Sequence, residues 1–80
     1  MTAQVEIDAR GLLCPLPVLR LRKRLAALPE GAEVVLLATD AAAVIDVPHF
    51  CAEAGHAFLG DDAGPDGVRL YRIRRGPDRG

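Results

Sequence analysis

A strand, a glycine turn and a helix start marked by two prolines follow one another in one stretch, Val5-Glu6-Ile7-Asp8-Ala9-Arg10-Gly11-Leu12-Leu13-Cys14-Pro15-Leu16-Pro17. Polar and apolar residues alternate between Gln4 and Asp8, which indicates a strand with one buried face. Gly11 ends that strand. Pro15 suits the first position of a helix, where the backbone N–H has no partner and the fixed φ is already helical. The stretch therefore predicts a strand-to-helix connection with Cys14 at the helix N-cap.

An N-cap position favours the reactive form of a cysteine. Orphan backbone N–H groups and the positive end of the helix dipole stabilise negative charge there. Thiolate is the reactive form, and its pKa falls at helix N-termini. Because Pro15 and Pro17 lack an N–H, the sulfur gains few donors and mainly the dipole contribution of ~0.3–1 kcal/mol. We therefore expect a modestly lowered pKa for Cys14 and a sulfur held outward, within reach of a partner.

A first helix is predicted from Pro15 to Leu28, because apolar residues recur there at helical spacing with basic residues opposite. Glu33 to Ala38 contains a continuous apolar run that is too short for a helix, so we expect a central strand buried on both faces. Ala41 to Ile45 is predicted to form a helical turn. A second helix should then begin with Asp46 as its N-cap and Pro48 in its first turn, and end at Gly55.

Two strands complete the predicted fold, at Ala57–Gly60 and Val68–Arg74, with a turn between them. In the last strand, Leu70 and Tyr71 both belong to apolar faces, which indicates either a bulge or burial on both sides. The order is βαβαββ, and right-handed crossovers would place both helices on one face of a four-stranded mixed sheet. We therefore predict an α/β (α+β) two-layer sandwich, a single domain over residues 1–80 with Gly76 to Gly80 as a loose tail.

Charge and hydropathy exclude several classes of protein. Ten Lys and Arg against eleven Asp and Glu give a net charge of −1, which favours neither nucleic acid nor membrane as a partner. The apolar runs are too short to cross a bilayer, and no secretory signal precedes them, so we expect a cytoplasmic protein. Two basic clusters provide either a docking face or a solvated rim: Arg20, Arg22, Lys23 and Arg24, and Arg69, Arg72, Arg74 and Arg75.

The second cysteine and the histidines suggest structural roles. Cys51 lies in the middle of the second predicted helix beside Phe50, where burial would hide its thiol. A disulfide with Cys14 would need Cα atoms within ~7 Å, which two separate helices do not readily provide. His49 and His56 complete no metal-binding spacing with the cysteines, so we expect them at the surface or at a helix end, and we expect no metal and no other cofactor.

The sequence around Cys14 lacks the residues that other thiol chemistries require. No histidine is near it in sequence, as a hydrolase arrangement would need, and no second cysteine follows two residues later, as in a dithiol redox motif. A lone exposed cysteine suits chemistry in which the sulfur itself is carried. Its thiolate can attack a sulfane sulfur, hold it as a persulfide and surrender it to another nucleophile.

The chain resembles the TusA-like (SirA-like) sulfur-carrier family over almost its whole length. The matching residues are Asp8 to Pro17, Arg22-Lys23, Gly31, Asp40, Asp46 to Cys51, and Tyr71 to Gly76. The resemblance implies the same βαβαββ sandwich and a persulfide on Cys14. It also implies that Gly11, Pro15 and Pro17 support the active turn and that Arg10 takes part in docking or in stabilising the persulfide.

The family also implies partners and a relay role, that of a sulfurtransferase in the sense of a persulfide carrier. Sulfur would come from a cysteine desulfurase or a rhodanese-like donor. It would leave for a downstream acceptor protein in tRNA thiolation, molybdenum cofactor synthesis or sulfur oxidation. Two residues depart from the common family pattern: Leu16 replaces an acidic residue between the prolines, and Ile45 replaces a basic residue. Leu16 would offer a partner an apolar contact, and both changes bear on partner choice.

A non-catalytic regulatory or interaction module on the same fold is the alternative. It would bind a protein or nucleic acid through the basic clusters, and its binding would be salt-dependent and independent of Cys14. Few aromatic residues and a near-neutral charge argue against direct nucleic-acid binding.

Overall fold

Residues 4–77, the part of the chain that the computed structural model describes, form two α-helices and four strands. In chain order the elements are β1 (Val5–Ala9), α1 (Leu16–Ala26), β2 (Glu33–Ala38), α2 (Ala43–Ala54), β3 (Ala57–Ala63) and β4 (Arg69–Arg74), with a short 3₁₀ turn at Pro65–Gly67 before β4. The predicted order βαβαββ is confirmed.

The four strands form one mixed sheet in the order β1-β2-β4-β3. β1 and β2 are parallel, from the pair Val5 and Val34 to the pair Ala9 and Ala38, whereas β4 is antiparallel to both of its neighbours. The parallel pair has one consequence for function. Because β1 and β2 end side by side, the connections that leave them for α1 and α2 begin at the same edge of the sheet.

The core lies between the sheet and the two helices, which confirms the two-layer sandwich. Strands β1, β2 and β4 bury alternate residues toward the helices, which contribute their own apolar faces: Ile7, Ala9, Val34, Leu36, Ala38, Tyr71 and Ile73 from the sheet, and Leu21, Leu25, Val47, Phe50 and Cys51 from the helices. The expectation that β2 is buried on both faces is wrong. Val35 and Leu37 are only half-buried, because both helices cover the same face of the sheet.

Both helices begin at residues other than those expected. α1 starts at Leu16 with Pro15 in the N-cap position, so Cys14 precedes the cap. α2 starts at Ala43 and runs without interruption through Pro48, so Asp46 lies in its first turn and is not its N-cap. The end of α2 is as predicted, since Gly55 adopts a left-handed φ of 83° that suits glycine.

The irregularity expected in the last strand occurs in its neighbour. β3 has a register shift between Phe58 and Gly60, so the bulge belongs to β3. In β4, Tyr71 faces the core while Leu70 is half-buried on the open face, which is the two-sided burial named as the alternative.

The predicted C-terminal tail, Gly76 to Gly80, lies partly outside the described residues. Gly76 itself donates its N–H to His56 Nδ1 at 2.9 Å, and its carbonyl accepts from Arg75 Nη1 at 2.7 Å. Of the helices in residues 4–77, none is long and apolar enough to cross a membrane.

Truncation of Leu21 to alanine should lower the free energy of unfolding by about 2–5 kcal/mol, because the side chain is fully buried between α1 and the sheet. Leu19→Ala on the same helix is the matched control. It should cost less than about 1 kcal/mol, since 47% of that residue is exposed. Urea denaturation followed by circular dichroism measures both. Equal losses would contradict the assignment of the core face of α1.

Candidate functional site

The candidate site forms where β1 and β2 end. The turn after β1 carries Gly11 and Cys14, and the turn after β2 carries Thr39 and Asp40. Thr39 Oγ1 accepts a hydrogen bond from the Gly11 N–H at 2.9 Å, and Asp40 Oδ2 accepts one from the Cys14 N–H at 2.6 Å. Two polar side chains from the turn after β2 thus fix the position of the cysteine turn.

Asp40 also holds the start of α2. Its Oδ1 accepts from the Ala42 N–H at 3.3 Å, and its carbonyl accepts from the Ala43 N–H at 3.1 Å. Aspartate commonly bonds the backbone two residues ahead in this way, which is why it is favoured in turns. One carboxylate therefore joins the cysteine turn to the second helix.

Of the residues expected to support the active turn, Gly11 and Pro15 lie in it and Pro17 lies in the first turn of α1. Gly11 has a φ of 79°, a left-handed conformation that side-chain-bearing residues rarely adopt. Pro15 follows Cys14 through a cis peptide bond, and its carbonyl accepts from the Leu19 N–H at 3.1 Å in the first turn of α1. Pro17 is buried against the core. The turn is thus braced on both sides of an exposed cysteine.

The sulfur of Cys14 contacts a carboxylate. Its Sγ donates a hydrogen bond to Asp46 Oδ2 at 2.9 Å. This bond to Asp46 raises the pKa of the Cys14 thiol, with further contributions from partial desolvation and from the negative charges of Asp46 and Asp40. The expectation of a lowered pKa is wrong, because Pro15 takes the cap of α1 and an acidic residue of α2 reaches the sulfur.

Sequence reasoning missed Asp40 and Asp46 as site residues. They lie 26 and 32 positions after Cys14, and the sequence pattern predicts Asp46 as a helix cap. The available signal was topological: a parallel β1–β2 pair places the residues that follow both strands at one edge. Asp40 and the first turn of α2 come directly after β2, within reach of the turn after β1.

An open groove of about 490 Å³ runs from Cys14 between the two helices. Its floor is apolar, with Val18 and Phe50, and its far end carries His49 and Glu53, whose Nε2 and Oε1 lie 3.6 Å apart. The guanidinium of Arg22 lies 5.7 Å from the Phe50 ring centroid, a cation–π distance. A shallow groove of this kind gives a partner protein access to the sulfur.

Exposed apolar side chains lie next to Cys14 and Asp46 in the chain. Leu13 is 69% exposed, Leu16 49% and Ile45 74%. We call these three residues the apolar rim, since Leu13 and Leu16 flank Cys14 in sequence and Ile45 precedes Asp46. Clustered exposed leucine and isoleucine side chains mark contact surfaces. The predicted apolar contact at Leu16 is therefore available to a partner.

Arg10 lies in a separate ion pair. Its Nε and Nη2 contact Asp8 Oδ1 and Oδ2 at 2.8 and 2.9 Å. The hydrogen bonds from Arg10 lower the pKa of Asp8 to about 2. The carbonyl of Asp8 also accepts from Arg20 Nη1 at 2.8 Å. The nearby carboxylate thus offsets the charge of Arg10, and the groups that act on the sulfur are Asp46 and Asp40.

The two basic clusters differ in their surroundings. The cluster on β4 is engaged in ion pairs and carbonyl contacts: Arg69 with Asp61, Arg72 with Asp62, Arg74 with Glu33, and Arg75 with the carbonyl of Leu25. The cluster on α1 lines a surface groove of about 670 Å³ beside β1, where Lys23 and Arg24 lie next to Leu16 and Leu19, and Arg20 also donates to the Asp8 carbonyl. Of the two, the α1 cluster suits docking.

Cys51 has the structural role expected of it. It is buried in the core, and burial raises the pKa of its thiol to about 11. Both cysteines are free thiols. Within residues 4–77, no group of three or more His, Cys, Asp or Glu side chains comes together to hold a metal ion.

Comparison with known proteins places the whole described fold in one family. The family model described as sulfurtransferase TusA matches residues 5–75. The sulfur carrier protein TusA of Pseudomonas syringae pv. syringae is 38% identical over 98% of this chain and 92% of its own length. A putative sulfur carrier protein of Neisseria meningitidis serogroup A is 45% identical over 78% of this chain and 82% of its own.

A solved structure agrees with the sequence matches. The crystal structure of a SirA-like protein from Desulfitobacterium hafniense has a TM-score of 0.80 and 30% identity, and the alignment covers 91% of this chain and 99% of that one. The resemblance that rested on the cysteine-proline segment extends to the whole fold, and the chain belongs to the TusA family of sulfur carriers.

Proposed function

We propose that this protein accepts sulfane sulfur as a persulfide on Cys14 and passes it to a downstream acceptor protein. The observation that carries the proposal is the position of Cys14, exposed on a turn braced by Asp40 and Thr39 and bordered by the apolar rim. Membership of a sulfur-carrier family supports the same role. Cys51, buried in the core, is excluded from the relay by lack of access.

A cysteine desulfurase or a rhodanese-like protein is the proposed donor. Either class presents a protein-bound persulfide, which reaches Cys14 only if the two surfaces meet. The apolar rim supplies exposed apolar contacts beside the cysteine in the chain, and the basic cluster of α1 adds charge for steering a partner of opposite sign. The downstream routes proposed are tRNA thiolation, molybdenum cofactor synthesis and sulfur oxidation, with Leu16 and Ile45 acting on the choice of partner.

The alternative, a module that binds a protein or nucleic acid without carrying sulfur, gains little support from the basic cluster of β4. The arginines of β4 are paired with acidic side chains or carbonyl groups, so that cluster is part of the sheet surface. The alternative predicts binding that survives loss of Cys14, and the following experiment distinguishes it.

The Cys14→Ser variant should take up no sulfur, whereas Cys51→Ala should load like the wild type. Alanine is the better control at position 51 because it leaves no hydroxyl buried in the core. Each protein is incubated with a cysteine desulfurase and free cysteine, or with a rhodanese and thiosulfate, and analysed by intact-protein mass spectrometry. A reductant-sensitive gain of one sulfur atom is expected. Equal loading of Cys14→Ser, or no loading of the wild type by either donor, would contradict the proposal.

The reactivity of Cys14 toward iodoacetamide should rise with pH along a titration whose midpoint lies above that of an ordinary thiol. The hydrogen bond to Asp46 and the nearby negative charges raise the pKa of Cys14, and alkylation proceeds through the thiolate. The Cys51→Ala background isolates the signal of Cys14, and the urea-unfolded protein supplies the reference midpoint. A midpoint below that reference would contradict the observed contact with Asp46.

Leu16→Ala should weaken loading from a protein donor by about fivefold or more, because central apolar anchors dominate the affinity of protein contacts. Loading from a small persulfide, which needs no docking surface, should be unchanged. Leu59→Ala, an exposed leucine on β3, is the control. The readout is the dependence of the initial loading rate on donor concentration. A loss of equal size with both sulfur sources would place the effect of Leu16 on the turn itself.

A further inference from the structure

We propose that Asp46 is the proton acceptor for Cys14 during sulfur loading, and so a catalytic residue of the site. The inference rests on the proposed function and concerns the same cysteine. Its basis is the contact between Cys14 Sγ and Asp46 Oδ2 at 2.9 Å, which puts a carboxylate within direct reach of the thiol proton.

The two carboxylates beside Cys14 have different tasks. Both oxygens of Asp40 are engaged by backbone donors, the N–H groups of Cys14 and Ala42, so Asp40 holds the turn. Asp46 contacts the sulfur itself, and its backbone is fixed in the first turn of α2 through the bond from its N–H to the Ala42 carbonyl at 2.9 Å. Asp46 is therefore placed to take part in the reaction, whereas Asp40 holds the cysteine turn in position.

The loading step requires a proton acceptor. When Sγ attacks the terminal sulfur of a donor R–S–SH, the new S–S bond forms and the donor's own S–S bond breaks, releasing R–S⁻. If the thiol kept its proton, Sγ would become a strongly acidic, sulfonium-like centre. The proton therefore leaves Sγ as the bond forms, and the Asp46 carboxylate receives it.

The same proton then neutralises the thiolate that the donor leaves behind. Asp46 returns it to the departing R–S⁻, so the products are Cys14–S–SH, R–SH and the original carboxylate. One zero-valent sulfur has moved between two thiols, with no net oxidation or reduction. In the release step the roles reverse: Cys14 leaves as a thiolate when an acceptor takes the terminal sulfur, and Asp46 lies where the proton must be delivered.

The charged groups around the sulfur are consistent with this role. Asp46 and Asp40 disfavour the free thiolate, so the resting cysteine is a neutral thiol that must lose its proton in the reaction. The other ionisable groups of the groove are His49 and Glu53 on α2 and Arg22 on α1. His49 lies beside Glu53, and Arg22 lies over the Phe50 ring, so the carboxylate in contact with Sγ is that of Asp46.

Asp46→Asn provides the test, because it keeps the shape of the side chain and removes the charge. Two rates are measured at pH 7 in the Cys51→Ala background: alkylation by iodoacetamide, which follows the thiolate fraction, and single-turnover loading from glutathione persulfide. We expect faster alkylation together with slower loading. General bases contribute 10²–10⁴-fold, so the ratio of the loading rate to the alkylation rate should fall by about tenfold or more.

Three further variants sharpen the comparison. Asp46→Glu keeps a carboxylate, so its ratio of loading rate to alkylation rate should return most of the way to the wild-type value. Asp62→Asn makes the same chemical change on β3, away from the site, and should leave both rates unchanged. Asp46→Ser carries the same expectation as Asp46→Asn and replaces it if circular dichroism shows that the asparagine variant does not fold.

The outcomes separate this inference from the function on which it rests. Loading that accelerates in step with alkylation overturns the inference, because Asp46 would then only restrain the thiol. Loading that Asp46→Asn leaves unchanged overturns it as well, while the carrier role stands. A wild type that takes no sulfur from glutathione persulfide or from either protein donor, yet whose alkylation still responds to Asp46→Asn, overturns the proposed function and the inference together.

Discussion

The hydrogen bond from the Cys14 N–H to Asp40 is the contact on which the site depends. Asp40 follows β2, and its other oxygen and its carbonyl accept from the first N–H groups of α2. One side chain therefore fixes the cysteine turn, the end of the central parallel strand and the start of the second helix relative to one another. The contact between Asp46 and the sulfur is a consequence, since Asp46 lies one turn into that helix.

The architecture follows from local sequence patterns, and so most of it could be predicted. Alternation in β1, the apolar run of β2, the amphipathic spacing of α1 and the left-handed glycine at position 55 each indicate one element. Short connections then leave few topologies. The sequence pattern mispredicts the start of a helix and the position of a bulge, because tertiary contacts decide both. α2 begins early because Asp40 binds the N–H groups of Ala42 and Ala43, and the bulge lies in β3, where its pairing with β4 shifts register between Phe58 and Gly60.

The cysteine was identifiable from sequence, but its electrostatic environment was not. A cap position and a helix dipole are local features, and they argued for an easily formed thiolate. The real partner of the sulfur is 32 residues away, and a hydrogen bond to a carboxylate outweighs a dipole whose contribution is ~0.3–1 kcal/mol. The proline at position 15 contributes to the difference, since it takes the cap of α1 in place of Cys14.

A carrier of reactive sulfur benefits from a cysteine that is protonated at rest. A free thiolate on an exposed turn would react with any oxidant or electrophile, because exposure and thiolate character together set the rate of such reactions. A neutral thiol held by Asp46 is protected from these reactions while its sulfur stays accessible. The cost is that each transfer must remove the proton, and the group that holds the thiol neutral is also the base in contact with it.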